Sequence, residues 1–214
     1  MDKIITNKVN IIGTIASEFK KSHSVMNEDF YIFQIHTKRL SETLDTIPVI
    51  ISERLIDINQ KWIGKQIDLS GNFRSYNKYE LEKSRVILYV MAKNLKETNF
   101  LDNNKIFLDG YICKQPIYRK TPLGREITDF ILAVNYSHRK SSYIPCVAWG
   151  KNARLVSGFS VGTRLQINGR IQSREYSKRM ERGGVQIRVA YEVSVLKIPL
   201  ILENGMNDKM IPQF

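Results

Sequence analysis

Cysteine and histidine are scarce: Cys113 and Cys146 are the two cysteines, His23, His36 and His138 the three histidines, and none forms a CxxC spacing or a cluster. That argues against a zinc site or a disulfide framework. No metal or other cofactor is expected, and both cysteines, each within a strand-like segment, read as small buried hydrophobes. Long apolar runs are also missing. The chain opens Met1-Asp2-Lys3-Ile4 without an extended apolar segment, so no signal peptide or membrane span is expected and the cytoplasm is the default location. Acidic residues are few against basic ones, 21 against 33, for a net charge of +12 and a pI near 9.7. Such an imbalance suits a polyanionic partner. An anionic membrane is the weaker candidate, because the basic residues fall in strand and loop patterns and not on an amphipathic helix.

What is present is globular: 43% hydrophobic and 25% charged residues, over a length of 214 that fits two domains of about 100 residues each. The chain also repeats. Gly13-Thr14-Ile15 matches Gly110-Tyr111-Ile112, Phe33 matches Phe130, and Ile47-Pro48-Val49 matches Ile144-Pro145-Cys146, all at an offset of 97 residues; Gly71 matches Gly169 at 98. A spacing shared over some sixty residues indicates a duplicated unit. Lys96 to Asn104, rich in Asn and Asp, breaks the apolar alternation and reads as the linker. The expected organisation is a domain at 1–98, a second at 104–199 and a short tail at 200–214.

Hydrophobicity alternates with period two within each copy, as in Phe130-Ile131-Leu132-Ala133-Val134. The pattern predicts strands near 4–15, 29–37, 46–52, 65–75 and 84–93 in the first copy. In the second it predicts strands near 105–114, 127–136, 143–149, 163–173 and 185–197. A helix is expected between the third and fourth strands of each, over Glu53 to Trp62 and near 151–158. The predicted fold is all-β: two tandem five-stranded Greek-key barrels of the OB type. Pro48 and Pro145 recur early in the third strand, where a missing N–H is tolerated at a strand start, edge or bulge.

Charge divides the copies. Residues 1–103 hold 15 Lys and Arg against 13 Asp and Glu, whereas 104–214 hold 18 against 8. In the second copy the basic residues interleave with aromatics: Tyr118-Arg119-Lys120, Arg125, Tyr136 with Arg139 and Lys140, Tyr143, Trp149 beside Lys151, Arg170, Arg174-Glu175-Tyr176-Ser177-Lys178-Arg179, and Arg188. Cations neutralise phosphates while aromatic faces stack on unpaired bases, so this mixture is the chemistry of a single-stranded nucleic-acid surface. Tyr143 and Trp149 share parity within one strand, a pattern that half-buried packing residues also show. Tyr176 stands in a Lys/Arg-rich segment ahead of Gly183-Gly184, which reads as a hairpin loop. Lys178 to Arg182 also suits a solvated loop.

From Asp109 to Leu196 these residues resemble the bacterial single-stranded DNA-binding protein family. The likeness runs through Gly110-Tyr111-Ile112, Tyr118-Arg119-Lys120-Thr121-Pro122-Leu123-Gly124, Phe130 to Asn135, Ile144 to Lys151 and Gly169 to Tyr176. It implies an OB fold that binds single-stranded DNA in replication, recombination or repair without being an enzyme, and it places Tyr143, Trp149 and Tyr176 where the family presents base-stacking aromatics. It further implies a homo-oligomer, a dimer of two-barrel chains. The first copy is similar but worn, with Ser52-Glu53 where the second has Trp149-Gly150, which fits a scaffold, dimerisation or auxiliary role. The tail ends Met210-Ile211-Pro212-Gln213-Phe214, similar to the family's partner-recruiting Asp-Ile-Pro-Phe tip but with Gln213 intruding and the acidic run missing; through it replication or repair proteins are the implied partners. The alternatives are an OB-fold accessory protein for priming, conjugation or annealing, and, less favoured for want of a DxD or HxH pattern, a nuclease on an OB scaffold.

Overall fold

A computed structural model describes residues 5–80, 83–137, 140–179, 184–202 and 209–210. The first half contains β1 (Asn7–Ile15), β2 (Lys20–Val25), β3 (Glu28–Lys38), β4 (Leu44–Ser52), β5 (Gln66–Glu80) and β6 (Lys83–Glu97). The second contains β7 (Asn103–Ile112), β8 (Ile117–Lys120), β9 (Glu126–Ser137), β10 (Lys140–Trp149), helix α1 (Lys151–Ser157), β11 (Arg164–Arg179) and β12 (Val185–Leu202), and β13 (Lys209–Met210) adds to β12.

Each half closes on itself by the same scheme. In the first, β1 pairs with β5 and, at its end, with β3; β3 pairs with β4; β4 runs parallel to β6; and β6 returns to β5. In the second, β7, β9, β10, β12 and β11 repeat that circuit strand for strand. Period-two alternation drives it: Val9, Ile11 and Ile15 of β1 point inward with Phe33, Ile35, Leu69 and Phe73, while Phe130, Leu132 and Val134 do so with Leu108, Ile167 and Ile171. The halves then join edge to edge. β1 and β7 form an antiparallel ladder from Asn7↔Leu108 to Ile12↔Asn103, in which Val9 faces its own repeat counterpart Ile106, so a pseudo-twofold axis passes between them.

The repeated glycines are where two backbones come closest. A Cβ on Gly13 would lie 2.3 Å from the His36 carbonyl oxygen and one on Gly110 2.7 Å from that of Ala133; Gly71 and Gly169 are similarly tight, at 2.2 Å from Met91 O and 2.4 Å from Ser194 O. The obstacle is backbone in every case, so it cannot rotate away. Gly169→Ala is expected to cost about 3 kcal/mol, read as a lower urea midpoint at unchanged m-value.

Three expectations are corrected. Between the third and fourth predicted strands of the first half, only the 3-10 turn Glu53–Leu55 forms instead of a helix over Glu53 to Trp62. Downstream, Asp57 turns the chain: its carboxylate accepts from the Asn59 backbone N–H at 3.0 Å and its carbonyl from Trp62 Nε1 at 2.8 Å, local bonds that compete with a helix. The predicted linker is shorter than Lys96 to Asn104, since β6 runs to Glu97 and β7 starts at Asn103. The short exposed strands β2 and β8 were not expected; they carry too few apolar residues to show an alternation. The C-terminal Ile211-Pro212-Gln213-Phe214, Arg139 and Gly183 lie outside the described residues.

Candidate nucleic-acid interface

β10 sets the geometry. Ile144, Cys146 and Ala148 point into the core, which turns Tyr143 and Trp149 outward, 54% and 38% exposed. Trp149 lies opposite Ile127 on β9, which lies opposite Arg119 on β8, so the indole and the Arg119 side chain share one row. The β8–β9 hairpin turns at Gly124, whose φ of 75° is in the left-handed region, and carries Lys120 and Arg125 to the same edge. Lys120, Gly124, Arg125, Glu126, Trp149 and Gly150 line a shallow cleft of about 360 Å³, and Lys151 is exposed at the start of α1.

Charge in this cleft is organised by hydrogen bonds. Arg119 Nε donates to Asp129 Oδ2 at 2.6 Å, which holds the guanidinium more firmly protonated. Tyr118 Oη donates to Glu126 Oε1 at 2.6 Å, an interaction that pushes the phenol up and the carboxyl down, with Arg154 also pairing to Glu126.

The second cluster lies on the long β11–β12 hairpin. Arg174, Tyr176 and Lys178 alternate onto one face of β11; Tyr176, 39% exposed, faces Arg188, whose Nε donates to Gln186 Oε1 at 2.9 Å, and Arg179 is exposed at the strand end. Lys140 is exposed at the start of β10. Two further residues predicted for the interface lie where the halves meet. Tyr136 lies beneath the Arg74 guanidinium of the first half, 3.7 Å from its ring centroid. Arg170 is half-buried where the halves meet; burial first, and then the neighbouring Arg39, depress its pKa, and its Nε has no partner.

The same edge of the first half is built differently. Ser52 stands in place of Trp149, Glu28 in place of Arg125 and Glu53 in place of Gly150. These residues bond to one another: Ser52 Oγ donates to Glu28, Arg54 Nε pairs with Glu28 at 3.2 Å, and the Asp29 backbone N–H donates to Glu53 Oε1 at 3.0 Å. Lys21 is taken by Asp29 at 2.6 Å, a bond that lowers the Asp29 carboxyl. Carboxylates and closed ion pairs thus occupy the edge that is basic and aromatic in the second half.

Sequence reasoning did not single out Arg74, Tyr76 or Tyr89 as site residues. They acquire a shared environment only because β5 and β6 run past the first half's own core and reach the second half, which no local pattern signals. Among the described residues, no group of three or more His, Cys, Asp and Glu side chains could hold a metal ion, and no helix is long and apolar enough to cross a membrane.

Comparison with known proteins finds a family match to the half of the chain that carries this surface. Residues 103–200 match the Single-strand binding protein family. That segment takes in the second circuit up to Leu200, with both aromatic clusters. Within the same comparisons, the chain is 36% identical over 80 residues to Single-stranded DNA-binding protein 2 of Listeria innocua, covering 34% of this chain and 50% of that one. It is 34% identical over 83 residues to Single-stranded DNA-binding protein A of Bacillus subtilis, covering 36% and 48%. The chain therefore spans about half the length of the curated relatives it matches. In fold it is similar to the wild-type single-stranded DNA binding protein from Thermus aquaticus, with a TM-score of 0.70 at 19% identity over 96% of each chain. The single-strand binding family match and this fold likeness differ in reach, since only the second extends over the first half.

Proposed function

We propose that the chain is a non-enzymatic single-stranded DNA-binding protein made of two tandem OB-type barrels, one per closed circuit, and that the second barrel carries most of the affinity. The observation behind this reading is the outer surface of the second half, where Tyr143, Trp149 and Tyr176 stand exposed among Lys120, Arg125, Lys151, Arg174, Lys178 and Arg179. Unpaired bases stack on the rings whatever their identity, and the cations follow the phosphates, which yields affinity without sequence reading. A duplex hides its base faces, so it gains only the electrostatic part. The family names attached to similar proteins support the same substrate. Protection of unwound DNA during replication, recombination or repair is the process that fits. Two chains would bring four barrels together; the pairing of one barrel with another is already made inside each chain by β1 and β7.

Titration of the whole protein with oligo-dT and with a duplex of equal length, at two salt concentrations, tests the proposal. Selective, salt-sensitive binding of oligo-dT supports it, and equal binding of the duplex overturns it. Each phosphate neutralised contributes roughly −0.7 to the slope of log K against log salt on a single strand. Replacing Lys178 and Arg179 together by alanine is therefore expected to flatten that slope by about 1.4.

A further inference from the structure

The pseudo-twofold axis generates two seams between the halves, made from the same repeat positions. Their backbone bonds are reciprocal: the Thr46 N–H donates to Ser173 Oγ at 2.9 Å at one seam, and the Tyr143 N–H to Ser75 Oγ at 2.7 Å at the other. Their side chains have diverged. At the first seam Arg39 is gripped by Asp45, with Nε to Oδ2 at 2.7 Å, while the Ser173 N–H also donates to Asp45 at 2.8 Å and Gln172 donates to Glu192 at 2.7 Å. Cation and carboxylate answer each other there.

At the second seam the counterpart of Arg39 is Tyr136, that of Asp45 is Ser142, and Tyr89 faces Arg74 where Glu192 faces Gln172. None of these counterpart positions carries a carboxylate. Arg74 makes no hydrogen bond or ion pair among the described residues, and its Nη1 is buried without a partner. It lies over the Tyr136 ring, and Tyr76 packs edge-on against Tyr89 with centroids 5.7 Å apart. Burial lowers the Arg74 pKa and raises that of Tyr89. Yet the cluster is open to solvent on one side: Tyr76 is 45% exposed, Tyr136 44% and Tyr143, beside Ser75, 54%. A guanidinium with no counter-anion among the described residues, set among exposed aromatic faces, suits what a nucleotide brings, a phosphate and a base.

We propose that Arg74, Tyr76, Tyr136 and Tyr143 form a second nucleotide-binding subsite, shared between the halves, for a single DNA strand that crosses the second barrel. This rests on the single-strand reading above. The first half thus contributes to binding through its β5–β6 hairpin while its own outer edge stays closed by Glu28, Asp29 and Glu53. The self-neutralised first seam is not part of the path.

The test uses the full chain and oligo-dT carrying 5-iododeoxyuridine at successive positions, with photo-crosslinks mapped by peptide mass spectrometry, together with titration of Tyr76→Ala. Arg74→Gln, which installs the residue found at the repeat counterpart, is a companion; should it fail to fold, the exposed Tyr76 variant still decides. Crosslinks on the β5–β6 hairpin as well as on the second half, with affinity in Tyr76→Ala reduced at least about fivefold, are the expected result. Crosslinks confined to residues 104–202, with Tyr76→Ala within about twofold of the parent, overturn the subsite and leave the single-strand function standing. Absence of oligo-dT binding by the parent chain overturns both.

Discussion

Trp149→Ala combined with Tyr176→Ala is expected to weaken oligo-dT binding by about 2–6 kcal/mol, on the order of 30-fold or more in Kd. The rings stand on different strands, β10 and β11, and share no partner among the described residues, so their losses should add. Each is more than a third exposed and neither belongs to the buried core, so the fold should survive both changes. No charge is removed, so the salt slope of the double variant should match the parent's while the whole line shifts down, which separates lost stacking from lost phosphate contact. Anisotropy of a labelled oligonucleotide is the measurement, because Trp149 is itself a fluorophore. A folded double variant that binds within threefold of the parent would remove both rings from the interface.

The second large effect is on stability. Asp45→Ala is expected to cost about 3–5 kcal/mol in urea unfolding of the whole chain, the usual range when one partner of a buried ion pair is deleted. Asp45 has a fully buried side chain and answers Arg39 and the Ser173 N–H together. Its removal leaves Arg39, 18% exposed, beside the half-buried Arg170, whose charge burial and Arg39 already disfavour. Two cations would then share a seam with no anion. A loss below about 1 kcal/mol would show that water replaces the carboxylate at little cost.

The all-β class was legible because the predicted strands alternate and because the repeat supplied a second reading of them. Gly13, Gly71, Gly110 and Gly169 were visible as matches, although only the structure gives their reason, the close approach of carbonyls from neighbouring strands. Tyr143, Trp149 and Tyr176 were legible as candidates because parity along a strand dictates face. The surroundings of Tyr136 and Arg170 were not legible, since they come from residues more than 60 positions away in the chain: Arg74 for one, Arg39 for the other. Periodicity reports which side of a strand a residue occupies. It is silent on what the other half of the chain lays against that side. The helix expected over Glu53 to Trp62 failed for a local reason, the Asp57 turn, which the apolar pattern does not encode.

The facing pair Val9 and Ile106 gives this chain the geometry of a symmetric dimer within one polypeptide. In a true homodimer any substitution near the axis arrives twice, and a change that helps one seam must be tolerated at the other. Here Arg39 and Tyr136 hold one repeat position with different residues, as do Asp45 and Ser142. Because both halves lie in one chain, each seam can change alone, so one can hold the halves together while the other is free for a different use.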